Sequence, residues 1–99
     1  MPTHVSTADL TAHETGCTWV QIDKGGFNFS LSGTWAATVH LQRTFDRGTT
    51  PLDIDSFTAN TELVGTEPEG CMYRFYIKNG NYTSGTVEGR ISQHAIREM

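Results

Sequence analysis

Between Phe27 and Leu41 every large apolar side chain falls on an odd position: Phe27, Phe29, Leu31, Trp35, Val39 and Leu41, with Ala37 among them. The even positions carry Asn28, Ser30, Ser32, Thr34, Thr38 and His40, with Ala36 the one apolar exception. Alternation with this period belongs to a β-strand that buries one face. The run outlasts an ordinary strand, so it must turn or bend, and Gly33 marks the place. A two-residue loop would set odd positions against even ones and send half the aromatics into water. The loop Ser32-Gly33-Thr34 instead pairs Leu31 with Trp35 and Phe29 with Ala37, and parity selects this hairpin. The competing solution is one strand bent at Gly33 whose halves join different sheets.

The same reading extends along the chain. Val20 and Ile22 alternate with Gln21 and Asp23 after Cys17, which predicts a strand. Residues 45–49, Phe-Asp-Arg-Gly-Thr, predict a turn in which Asp46 bonds backbone amides and Gly48 adopts positive φ. Leu52 and Ile54 alternate with Asp53 and Asp55, residues 56–64 give a less regular strand or two, and Thr66 to Gly70 is a loop. Tyr73, Phe75 and Ile77 then form an inward row. A loop of Asn79, Gly80 and Asn81 would pair Phe75 with Gly85 and Tyr73 with Val87, keeping the apolar side continuous. The triplet Ser32-Gly33-Thr34 recurs at Ser84-Gly85-Thr86, but the flanking residues match too poorly for a repeat. Residues 1–15 are polar, with only Val5 and Leu10 as sizeable aliphatics, and are expected to form a flexible N-terminal arm. The expected architecture is all-β: a single-domain antiparallel β-sandwich or small barrel of six to eight short strands over residues 16–93, followed by a tail at 94–99.

Composition agrees. Thr is the commonest residue at fifteen copies, with ten Gly and ten aromatics in 99 residues, the makeup of strands joined by tight turns. A chain this short has room for one core and excludes a multidomain enzyme. No stretch approaches the roughly 20 apolar residues that cross a bilayer as a helix, and the start lacks the basic and apolar regions of a secretion signal, so neither export nor a membrane partner is expected. The net charge of −4 is uneven: residues 46–69 sum to −5 and residues 70–99 to +2. With two Lys and five scattered Arg there is no basic cluster to displace counterions from phosphates, so nucleic acid is not an expected partner.

Candidate chemistry is sparse. Cys17 and Cys71 fit no zinc spacing, the four His are scattered, and two free thiols are expected rather than a disulfide. Asp53 and Asp55 are placed two apart, as acids of a glycosidase or a calcium site can be, but a half-exposed strand gives the same pattern. No nucleophile with a base partner and no phosphate-cradling loop stands out; the expectation is a protein without catalytic, cofactor-binding or metal-binding residues. The clearest candidate surface is the even row of the strand at 72–78, namely Met72, Arg74, Tyr76 and Lys78, because Met, Arg and Tyr are favoured in protein contacts. Trp19, opposite in parity to Val20 and Ile22, is a second exposed anchor on this reading.

The stretch from Gly26 to Thr50, the segment SFTANTEL and the run from Tyr73 to Gln93 resemble the small all-β virion structural proteins of tailed bacteriophages. The resemblance rests on the alternation of Phe27, Phe29 and Leu31 into Ser32-Gly33-Thr34-Trp35, on the Arg43-x-Phe45-Asp46-x-Gly48 turn and on the Tyr73-Arg74-Phe75 strand, and covers about residues 16–93. It implies a non-enzymatic component of the virion, foremost a decoration or cement protein on the capsid. Its partners would be the major capsid protein or other virion proteins, and its own copies in a homo-oligomer. A tail, head–tail connector or fibre-base component would share the fold. A carbohydrate-binding module, using Trp19, Tyr76 or Tyr82, is the reading from a different class.

Overall fold

Alternation becomes strand faces over residues 27–31 and 71–77 of the computed structural model, which describes residues 3–94, whereas Leu52 and Ile54 stay exposed. Eleven strands follow in order: β1 (Thr3–Leu10), β2 (Thr15–Gly16), β3 (Val20–Ile22), β4 (Gly25–Ser32), β5 (Trp35–Ala37), β6 (Val39–Thr44), β7 (Leu52–Phe57), β8 (Thr61–Glu67), β9 (Cys71–Ile77), β10 (Tyr82–Gly85) and β11 (Val87–His94). A four-stranded sheet runs β1-β11-β4-β8. A five-stranded sheet runs β2-β9-β6-β7, with β3 also on β9, and β10 pairs with β5. All paired neighbours are antiparallel. The two larger sheets close face to face as a small β-sandwich. Phe27 and Phe29 of one meet Tyr73 and Phe75 of the other, with ring centroids 4.7 and 6.0 Å apart, and Leu31, Val39, Leu41, Ile77, Val87 and Ile91 complete a buried core. The count exceeds the expected six to eight because residues 15–22 and 35–44 each form two separate strands and the N-terminal residues add another.

That added strand corrects the expected arm. Residues 3–10 pair with β11 in continuous register from Thr3 opposite His94 to Leu10 opposite Val87, and Leu10 is only 2% exposed. The inward side of β1 hides its nature from a hydropathy reading because it is built from small and polar groups. Ser6 is buried by donating from its hydroxyl to the Thr18 carbonyl at 2.8 Å, and Ala8 packs on the core. Of the expected tail at 94–99, His94 ends β11 and the remainder lies outside the described residues.

Both predicted hairpins are overturned as well. β4 pairs with β11 and β8, not with β5, so the bent-strand alternative describes Gly33. The chain leaves the four-stranded sheet there and enters β5, then β6 of the opposite sheet. The turn after β9 does form, the Asn81 amide donating to the Lys78 carbonyl at 3.1 Å, yet the next strand pairs with β5 instead of folding back on β9. The chain returns to the four-stranded sheet at Gly85-Thr86. The two Ser-Gly-Thr triplets therefore meet: the Thr86 amide donates to the Thr34 carbonyl at 3.0 Å. A Cβ on Gly33 (φ +98°) would fall 2.6 Å from the Thr86 oxygen, and one on Gly85 (φ +87°) 2.3 Å from the Thr34 oxygen. Glycine is required at this double crossing by both dihedral and space.

Candidate functional site

On β9, inward residues Cys71, Tyr73, Phe75 and Ile77 alternate with outward Met72, Arg74 and Tyr76, and with Lys78 one residue past the strand, as their parity predicts. All four outward side chains are half-buried rather than bare, because the adjacent strands and Trp19 build a layer over the sheet. Register sets His40 opposite Tyr76, Gln42 opposite Arg74 and Thr44 opposite Met72 on one side of β9. On the other side Gln21 faces Met72 and Gly16 faces Tyr76. Gly16 has no side chain because the space is taken: a Cβ there would lie 2.6 Å from the Tyr76 ring.

Arg74 is the hub. Its guanidinium carbon lies 4.4 Å from the centroid of Trp19 and 4.2 Å from that of Tyr76, cation–π contacts of good geometry. Its Nε donates to Gln42 Oε1 at 2.8 Å, Gln42 Nε2 donates to Asp53 Oδ1 at 2.9 Å, and Asp53 Oδ2 accepts from Lys78 Nζ. A polar chain thus crosses from β9 to β6 to β7 and returns to Lys78, the residue that follows β9. Gln42 faces outward yet is only 4% exposed, which measures how completely its neighbours cover it. The Lys78 ammonium, and after it the Gln42 amide, hold the Asp53 carboxyl below the usual carboxylate range. Burial lowers the Arg74 guanidinium from its ordinary value.

Trp19 is not the exposed anchor expected. It lies between β2 and β3 on one side of β9, and its indole reaches across β9 to the turn after β6. There the backbone of Gly48 (φ +94°) packs against it so closely that a Cβ would fall 2.6 Å from Nε1. The turn is fastened as anticipated: the Thr50 amide donates to Asp46 Oδ1 at 2.8 Å and the Gly48 amide donates to Thr44 Oγ1 at 3.0 Å. Arg47, with φ +60°, is the non-glycine left-handed residue that completes it.

Beyond the end of the row next to Met72 lies a cavity of about 340 Å³ bordered by Gln21, Thr44, Phe45, Arg47, Gly70, Cys71 and Met72. Its exposed wall, Phe45, stacks on the Arg43 guanidinium at 4.6 Å. Arg43 is fixed from below by Glu67, whose two carboxylate oxygens accept from Nη2 at 2.8 and 3.0 Å. Glu67 also accepts from Tyr73 Oη at 2.7 Å and from the amides of Glu69 and Gly70, each at 3.0 Å. Burial opposes its ionisation, but the Tyr73 hydroxyl, the two amides and the Cys71 thiol more than offset this and hold the carboxyl at about 2. The same contact and burial push the Tyr73 phenol up. Burial likewise raises the thiols of Cys17 and Cys71, both free.

The structure therefore joins Trp19, Arg74, Tyr76 and Lys78 in one connected face and sets Met72 at its end, beside the cavity. Asp53 and Asp55 separate: Asp53 is tied into the outward network, while Asp55 is opposite inward-facing Leu41 at the edge. Gln42 and Thr44 do not stand out in the sequence as site residues, although the shared parity of His40, Gln42 and Thr44 is the signal that aligns them with the β9 row; Gly48 is expected from the sequence only as the left-handed residue of its turn, and its packing on Trp19 adds to that. Among the described residues no group of three or more His, Cys, Asp or Glu comes together. Compared with protein-family models, curated proteins and solved structures, the chain matches none.

Proposed function

We propose that the protein is a non-enzymatic docking module whose outer β9 face binds another protein, and that it serves as a virion structural protein of a tailed bacteriophage, foremost a capsid decoration or cement protein. The observation that supports docking is the preassembled Trp19-Arg74-Tyr76 stack, braced by Gln42, Asp53 and Lys78. Arg and aromatic side chains held rigid before contact lose little conformational freedom on binding, which is what distinguishes an anchor from a merely exposed side chain. The virion role rests on the resemblance of the 26–50 and 73–93 segments. A small domain of this kind stabilises a shell by binding only the assembled state, at many equivalent positions. A tail, connector or fibre-base position uses the same face and the same physics.

The carbohydrate reading is the weaker one: Trp19 and Tyr76 each spend part of a ring face on Arg74, and Trp19 is further covered by Gly48, whereas a sugar platform needs open rings. The test is quantitative mass spectrometry of purified particles produced from the genome that encodes the chain, with wild type and Arg74→Ala compared. A copy number matching the shell subunits, reduced by the substitution, supports decoration. One matching the tail symmetry moves the protein to the tail, and absence from particles overturns both positions.

A further inference from the structure

The outer face of the four-stranded sheet, remote from the β9 row, carries a charge pattern that the docking reading does not use. Register places Thr7, Arg90, Ser30 and Glu62 in one row across β1, β11, β4 and β8. The next row is Val5, Ser92, Asn28 and Val64. Arg90 and Glu62 are both exposed and stand two strand spacings apart, about 9.6 Å, on either side of the small Ser30. Among the described residues the ion pairs are His4–Asp23, Arg43–Glu67 and Lys78–Asp53, so neither Arg90 nor Glu62 is matched by another described residue. Between them lies a trough of about 320 Å³ bordered by Asn28, Ser30, Glu62, Arg90 and Ser92. Beside it Val64 is 77% exposed, the largest value among the exposed large apolar side chains.

We infer that this face is self-complementary and takes a second copy of the chain. A two-fold axis lying between the copies, parallel to β4 and over it, carries β11 of one copy onto β8 of the other while keeping each row in place. Arg90 then meets Glu62 of the second copy, and Glu62 meets its Arg90, each Arg filling the other copy's trough; Val64 covers Ser92. Reciprocity follows from the register alone, since the two charges lie equally far from β4 with opposite sign. Three strands of about eight residues present roughly 390 Å² per copy, about half of the ~800 Å² typical of a stable contact. The dimer is accordingly weak in dilute solution and fills as concentration rises.

The test is sedimentation equilibrium combined with amide NMR spectra of the full chain up to about 1 mM, where even a millimolar dissociation constant is visible. The expected result is a monomer–dimer equilibrium with concentration-dependent shifts centred on Asn28, Ser30, Val64 and Ser92. Arg90→Glu and Glu62→Arg should each weaken association at least about tenfold by setting like charges opposite one another, and the double variant should restore it. Concentration-independent shifts, or a dimer indifferent to either single change or unrestored by the double one, would overturn the inference. Because Arg74 is on the opposite sheet, loss of particle binding in Arg74→Ala leaves this result unaffected.

Discussion

Replacing Glu67 by Gln keeps the shape of the side chain and removes its charge from a fully buried position. A carboxyl held at about 2 instead of the ordinary 4.5 favours its ionised form in the folded protein by about 3 kcal/mol. Removing one member of a buried pair costs about 3–5 kcal/mol by an independent measure, because the remaining charge is stranded; here that charge is Arg43, three-quarters buried. The folded-state value is depressed, so this stabilisation is complete above the unfolded value near 4.5 and disappears as pH falls toward 2. Urea unfolding of wild type and Glu67→Gln should therefore differ by about 3 kcal/mol at pH 7 and by less than half of that near pH 3, with unchanged m-values. A difference below about 1 kcal/mol at pH 7, or one that does not move with pH, would refute the account of Glu67 as the charge that organises this corner.

Gly48→Ala drives a methyl into the Trp19 indole and strains a left-handed residue. It should cost about 1–3 kcal/mol and shift Trp19 emission, read by fluorescence in a Trp35→Phe background. Gly89→Ala places a methyl 2.5 Å from the Phe75 ring in the centre of the sandwich. A loss of about 1–3 kcal/mol or more in urea unfolding is expected, with a rotated ring seen in aromatic NMR shifts. Deleting residues 1–10 uncovers the β11 edge and removes Leu10 from the core, so the truncated chain should lose its cooperative thermal transition by circular dichroism or show it at much lower temperature. A free arm would leave that transition in place.

Strand identity was legible wherever inward positions were large and apolar. Phe27, Phe29 and Leu31 announced β4, and Tyr73, Phe75 and Ile77 announced β9. Parity reports only which face a residue takes, not which strand lies beside it. Folding back at Gly33 and crossing to the other sheet there bury the same odd positions, and nothing within Phe27–Leu41 separates the two. The decision lies in contacts distant in sequence: β11 supplies β4 with a partner some sixty residues away, and Thr86 closes on Thr34. β1 was missed for another reason, since its inward Ser6 is satisfied by a hydroxyl bond to Thr18 that no hydropathy pattern registers. At the candidate site the β9 row could be read directly, because alternation there is strict. The cover over it could not, since Trp19 crosses the row only by virtue of a turn that starts twenty-six residues later in the chain.

The pairing of Thr3 with His94 brings the two ends of the described chain to one corner of the sandwich. A cargo domain or affinity tag fused upstream or downstream would emerge from that same corner. By the same geometry, a short linker could join the ends and new termini be opened at the exposed bend of residues 58–60, giving a circular permutant that retains every strand pairing. The fold is thus suited to displaying a payload at one vertex.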